Sequence, residues 1–414
     1  MVEILEKKFE KEAITPDNPK WNNSNDRINP ISKKPFDTRT EFERDNNRII
    51  HSNAYRRLKH KTQVFFATNK DHICTRIEHV NHVASIARTI AKNLGLNIEL
   101  VEAIALGHDL GHSPFGHEGE VILAKIIDPN KTMTHAFWHE RNSLRFIDKI
   151  ETLPNYQGQH ETLNLTYAVR DGIVCHCGEV DENGLKPRID YINLEQIQKG
   201  ELNPYTFEGC VVKISDKIAY LGRDIEDAFE YRILNKTQYK ELKQIAENLM
   251  KEKKKLSEIN TTSLMYVFIE DLCKNSSPET GLNFTKECFE MMNQIRKFNT
   301  ENIYKHKRLN PFKNYAALVI NTIYDFLESY YTSDNTIKKL EKDKRFYPKL
   351  IGCFEDWLIK YSDINKEKRG TKRYINEVIY NINNKDDYNQ SIIDFISGMT
   401  DQFAINMFEE IITF

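Results

Sequence analysis

Arg76-Ile77-Glu78-His79, followed a helix's length later by Leu106-Gly107-His108-Asp109-Leu110-Gly111-His112-Ser113-Pro114-Phe115-Gly116-His117-Glu118-Gly119-Glu120, is the stretch of the 414-residue chain that decides its fold. Ten of the thirteen histidines fall between His51 and His139. Histidines that only faced solvent would be scattered, so this cluster points to metal binding or proton transfer. Around it the apolar residues keep a helical period. Ile77, Val80, Ala84, Ala87, Ile90, Ala91 and Leu94 predict a helix from about Thr75 to Leu94, with Gly95 as its C-cap and His79 beside the apolar stripe. Asn97 can cap a second helix that ends near His108-Asp109, with Glu99 and Glu102 near its positive end. Gly111, Pro114 and Gly116 then break the chain into a tight loop, and a new helix starts near His117.

Adjacent residues on a helix diverge by about 100°, because the helix turns once per 3.6 residues. His108 and Asp109 can therefore share one metal only at a helix end, which the loop after them supplies. His79 on the preceding helix is one further candidate ligand. Asp216, in Val211-Val212-Lys213-Ile214-Ser215-Asp216-Lys217-Ile218-Ala219-Tyr220, is another, since an acid in so apolar a setting is costly unless paired. Two imidazoles and two carboxylates suit manganese, iron, zinc or magnesium. The competing reading makes each histidine an ordinary core or surface residue, which would hold for any one of them alone. Cys175-His176-Cys177 hints at zinc, but no second pair lies at finger spacing, and the seven cysteines read as free thiols.

Composition narrows the classes. The chain is 40% hydrophobic and 11% aromatic, enough for a sizeable core, and 29% charged. A net charge of -2 supplies no global field for nucleic acid. No apolar run is long enough to span a membrane and the N-terminus lacks a signal-peptide core, so a cytoplasmic location is expected. Residues 1–40 are turn-rich and read as an irregular arm. Helices are expected through a core at 41–232 and through a C-terminal region 233–414, including 337–361, 372–382 and 389–412. Strand signals are few, with a loop or short hairpin expected at 173–190. The fold class is all-α.

Several motifs together carry a resemblance. Arg76-Ile77-Glu78-His79, His108-Asp109 and Asp216 resemble the ligand motifs of the HD-domain phosphohydrolases. Arg48-Ile49-Ile50-His51-Ser52, Arg56-Arg57-Leu58, Lys61-Thr62-Gln63-Val64, the 108–120 stretch, Leu163-Asn164-Leu165-Thr166, the 215–220 stretch and Gly398-Met399-Thr400-Asp401 resemble the bacterial deoxyguanosinetriphosphate triphosphohydrolases, in the same order. The resemblance spans most of the chain and is loose over 232–285 and 306–390.

The resemblance implies an HD-domain helical fold with additional C-terminal helices that complete the substrate pocket and oligomer contacts. It implies cleavage of a deoxynucleoside triphosphate, dGTP by default, to deoxynucleoside and triphosphate. His79, His108, Asp109 and Asp216 would hold one divalent metal, manganese first, then iron, magnesium or zinc. His117 would move the proton, with Glu120 holding its ring, and His112 and His139 would lie near the phosphates. Arg57, Gln63, Arg76, Lys217, Tyr220, Asp224 and Tyr304 would contact substrate. Gly222-Arg223-Asp224 departs from the pattern, with Arg where many relatives have His. A homo-oligomer (a hexamer), a regulatory dNTP and single-stranded DNA go with the family, and no membrane does. The competing functions are another HD nucleotide phosphohydrolase, or an HD-fold nucleic-acid-binding regulator using Lys33, Lys34 and the Lys251–Lys255 run.

Overall fold

Thr75 and Gly95 bound the helix that carries His79. The Thr75 amide donates to the Glu78 carboxylate at 2.7 Å, closing the first turn, and Gly95 ends the last one at φ +85°, a left-handed angle that suits glycine. Nine residues of the helix between them are buried, among them Val80, Val83, Ile86, Ala87, Ile90 and Leu94. Asn97 then caps Ile98–Gly107 through its side-chain oxygen, which accepts from the Leu100 amide at 3.1 Å. The architecture comes from a computed structural model that describes residues 7–31, 36–66, 74–130, 136–177, 183–249 and 259–413.

The protein is all-α. The strands among the described residues are the short antiparallel pair Thr152–Pro154 and His160–Thr162, which the sequence pattern does not predict. Each strand is three residues long, too short for a period-2 pattern to register. The chain divides into two compact units, each built from three separate segments: Met1–Ile49, Ala67–His108 and Leu165–Pro311 in one; Ile50–Phe66, Asp109–Asn164 and Phe312–Phe414 in the other. One of the five chain crossings between the units falls on the peptide bond joining His108 to Asp109.

In the first unit, the Arg76–Leu94 and Ile98–Gly107 helices pack on each other and on the long Phe207–Glu230 helix, with Tyr167–Val174, Thr261–Asn275 and Lys286–Asn299 around them. The lead-in arm has no long helix among its described residues, yet it is part of this core. Phe9, Ala13 and Ile14 are buried, Phe9 stands edge-on to Phe207 at 4.9 Å, and its amide donates to the Leu94 carbonyl at 2.9 Å. Glu208 joins arm and helix, accepting from the Ile14 and Asn97 amides at 3.0 Å each.

The second unit holds His117–Ile127, His139–Arg145 with a wider turn to Ile150, and the C-terminal helices. Three expected helices differ there. The helix expected at 337–361 is two, Thr336–Asp343 and Pro348–Tyr361, because proline fits a helix only at its start. The one expected at 389–412 breaks into Lys385–Ser397 and Asp401–Ile412 around Gly398. The helix expected at 372–382 is absent, and Lys366–Thr371 is helical instead. At 173–190, Leu185 forms its antiparallel bridge with Leu282, a distant segment, and 178–182 lie outside the described residues.

Candidate active site

Two polar clusters form, one in each unit. In the first, buried His79 stands at the end of the first turn of Arg76–Leu94, and Asp216 interrupts the apolar first half of Phe207–Glu230. His79 Nε2 lies 2.9 Å from Asp216 Oδ1, and His108 Nε2 lies 3.9 Å from the same oxygen. His108 is at the C-terminus of its helix, and its Nδ1 is 2.7 Å from the Ala105 carbonyl oxygen. That bond assigns the proton to Nδ1 and leaves Nε2 as the ring atom able to ligate. Burial would raise the Asp216 carboxyl, but the His79 hydrogen bond and the charges of His79, His108 and His176 hold it well below the usual carboxylate range. One nitrogen from each histidine and an Asp216 oxygen all lie within 4.8 Å of one another. The donors fit a divalent ion of intermediate hardness, and Asp216, with 22% of its side chain exposed, is their open edge.

His176 was not among the predicted site residues, although its cysteine-flanked position stands out in the sequence. It is buried with its ring 4.9 Å from that of His108, edge-on, and its Nδ1 is 2.6 Å from the Ile173 carbonyl oxygen, the same device as at His108. The flanking Cys175 thiol donates to Asp171 Oδ1 at 3.7 Å. Burial pushes that thiol well up.

Further along the Phe207–Glu230 helix, Tyr220 and Asp224 follow Asp216 at successive intervals of four. Asp224 is buried and accepts from the Tyr304 hydroxyl at 2.5 Å; burial pushes its carboxyl up to about 7 against that bond. Lys217 and Tyr220 line a pocket with Asn183, Asn293, Arg296 and the ring of Phe289. Arg296 and Asn293 escaped the sequence reading because a polar residue on a half-exposed helix carries no spacing signal of its own. Arg76 is buried at the first turn of the His79 helix.

The second cluster follows the loop after Asp109. Asp109 Oδ1 is 3.1 Å from His112 Nε2, and the His112 ring stacks on His139 with centroids 3.8 Å apart. Glu120 stands between two histidines, but unequally. His139 Nδ1 is 2.9 Å from its Oε2, whereas His117 Nδ1 is 3.6 Å away, and the His117 side chain is 68% exposed. Burial opposes both charges of the tighter pair, yet the negative charges of Glu140 and Glu120 push His139 up to about 9. Burial likewise raises Glu120, but the charges of His139 and His117 and the hydrogen bond to His139 hold it far below the carboxylate range. Arg57 is engaged by the Glu151 carboxylate, with its guanidinium 5.9 Å from the Phe146 ring. The buried Gln63 amide oxygen has no hydrogen-bond partner among the described residues. Lys33, Lys34 and Lys251–Lys255 lie outside them.

A helical unit that gathers His79, His108 and Asp216 is an HD domain, and the family model for the HD domain matches residues 76–221. Over nearly its whole length the chain is also similar to proteins named deoxyguanosinetriphosphate triphosphohydrolase-like protein. One from Caldanaerobacter subterraneus subsp. tengcongensis is 34% identical over 375 residues, 91% of this chain and 86% of the relative. Others are from Clostridium tetani, 32% identical over 97% of this chain and 94% of the relative, and from Pelagibacter ubique, 32% identical over 89% and 92%. The chain belongs to this deoxyguanosinetriphosphate triphosphohydrolase-like family of phosphohydrolases. No helix among its described residues is long and apolar enough to cross a membrane.

Proposed function

We propose that this protein hydrolyses a deoxynucleoside triphosphate, dGTP first among them, to the deoxynucleoside and inorganic triphosphate. The observation that carries the reading is the convergence of His79, His108 and Asp216 in a chain whose relatives bear that name. With Asp109 they would hold one divalent ion, manganese first, which when bound supplies charge neutralisation at the phosphate. Residues 41–232 form the catalytic core in this reading, and 233–414 complete the pocket with Tyr304 and Arg296.

The chain's own residues divide the work. Arg76, Lys217 and Arg296 neutralise triphosphate charge. Tyr220 lies against the sugar, and Asp224 with Tyr304 meets its 3′-hydroxyl. Gln63 offers its amide oxygen to the substrate. Water attacks the α-phosphorus in line, the bond to the 5′-oxygen breaks, and His117 manages the proton at that oxygen. His139, kept protonated by its two carboxylates, and His112 stacked on it face the phosphates. A hexameric, cytoplasmic enzyme regulated by a second dNTP or by single-stranded DNA is consistent with the same family reading. The test is to incubate the purified protein with each dNTP and Mn²⁺ and resolve the products. Tripolyphosphate supports the proposal; pyrophosphate or single phosphate in its place would sink it.

A further inference from the structure

Between His112 and His117 the backbone adopts a conformation that it does not favour by itself. Phe115 has φ +64°, a left-handed angle that is costly for a residue with a side chain, and Gly116 follows at φ +62°. Such a turn persists only where its surroundings fix it. Two buried charged residues do so. Asp401 Oδ1 accepts from the Phe115 amide at 2.8 Å, while its Oδ2 accepts from the Thr62 amide at 2.8 Å and from the Thr62 hydroxyl. Lys61 Nζ donates to the His112 carbonyl and to the Ser397 carbonyl, the latter at 3.2 Å. Asp401 and Lys61 thus grip the two sides of Ser113-Pro114, and the Phe115 ring is seated against Phe66 and Phe312 with centroids 5.9 and 6.1 Å away.

We infer that Lys61 and Asp401 are positioning residues that hold the 112–117 loop, and with it the His112 and His117 side chains, in working geometry. Neither does any of the chemistry proposed above. The role of the Gly398-Met399-Thr400-Asp401 stretch follows, since Thr400 caps the last helix through the Phe403 amide at 3.2 Å and presents Asp401 at its first turn. A displacement of about 1 Å at a catalytic group lowers turnover by about 10²-fold. This inference rests on the roles proposed for His112 and His117, so its test has two arms.

The first arm measures triphosphate release by Asp401→Asn and Lys61→Met. The expected result is a kcat lowered by about 30- to 100-fold with KM within about twofold and bound metal unchanged. The second arm measures hydrogen exchange. Amides of 109–117 should lose protection in both variants, while those of 76–94 keep theirs. If one variant misfolds, the other carries both arms. Unchanged kcat with unchanged loop protection overturns the inference, as does a loss of protection spread evenly over the chain. If the wild type releases no triphosphate, the proposed function fails, and the exchange arm still decides whether these two residues hold the loop.

Discussion

His139 Nδ1 lies 2.9 Å from Glu120 Oε2. Burial opposes the charge of this imidazole, but Glu140, 3.4 Å from the same nitrogen, and then Glu120 push it up to about 9 from 6.5. A raised folded-state pKa means that the stabilisation is complete below about pH 6.5 and is lost as pH rises through about 9. The wild type should therefore lose stability between these values, by about 1–3 kcal/mol from His139 and its two carboxylates together. Glu120→Gln should flatten that slope in thermal melts recorded from pH 6 to 10. Parallel profiles would show that the pair does not contribute.

The two clusters should separate in metal analysis. His108→Ala and Asp216→Asn remove donors from the first, so bound divalent metal and activity should fall together. His117→Ala leaves those donors untouched and should retain metal at the wild-type stoichiometry while turnover drops by about 10²-fold or more. Elemental analysis of dialysed protein, paired with a product assay, reads both. Near-normal turnover in His117→Ala would remove it from the chemistry.

Glu208 gives a second pH dependence, of opposite charge type. Burial pushes its carboxyl up to about 7 from 4.5, although the Ile14 and Asn97 amides favour the ionised form. The folded state binds this proton more tightly than the unfolded chain does. Its contribution is therefore complete below about pH 4.5 and is lost as pH rises through about 7. Glu208→Gln keeps an acceptor oxygen without the charge. The variant should gain stability relative to wild type as pH rises from 5 to 8, by up to about 3 kcal/mol in denaturant titrations. A constant difference across that range would contradict the assignment.

Gly111 is required by close approach. A methyl group there would stand 2.0 Å from the Ser143 amide nitrogen and 2.4 Å from the Asn142 carbonyl carbon, which are backbone atoms with no room to yield. Its own amide donates to Ser143 Oγ at 2.8 Å, and its carbonyl accepts from Asn142 Nδ2 at 2.6 Å. Gly111→Ala should cost about 3 kcal/mol or more in stability. Differential scanning calorimetry would show it as a lowered melting temperature, and a shift within a degree of wild type would mean that the loop re-forms elsewhere.

Local physics made much of the fold legible. Thr75 with Glu78, Asn97, and Gly95 mark helix ends within a few residues of themselves, and the apolar period between them needs only the chain's own turn to be read. The adjacency of His108 and Asp109 at a helix end belongs to the same local class. The helices at 337–361 and 389–412 depart from expectation because Pro348 and Gly398 interrupt patterns whose apolar spacing otherwise continues.

What the sequence determined by itself was therefore the helical class, the ends of the helices that bear His79 and His108, and the donor types available to a metal. Tertiary structure alone decided the partnerships. Arg57 is engaged by Glu151, and Asp401 grips the Phe115 amide from 286 residues away. It also decided that Glu120 leans to His139 more closely than to His117, its neighbour on the same helix. Spacing along a helix reports which residues share a face. Which buried charge meets which is set by packing between distant segments, where the cost of an unpaired charge selects the partner.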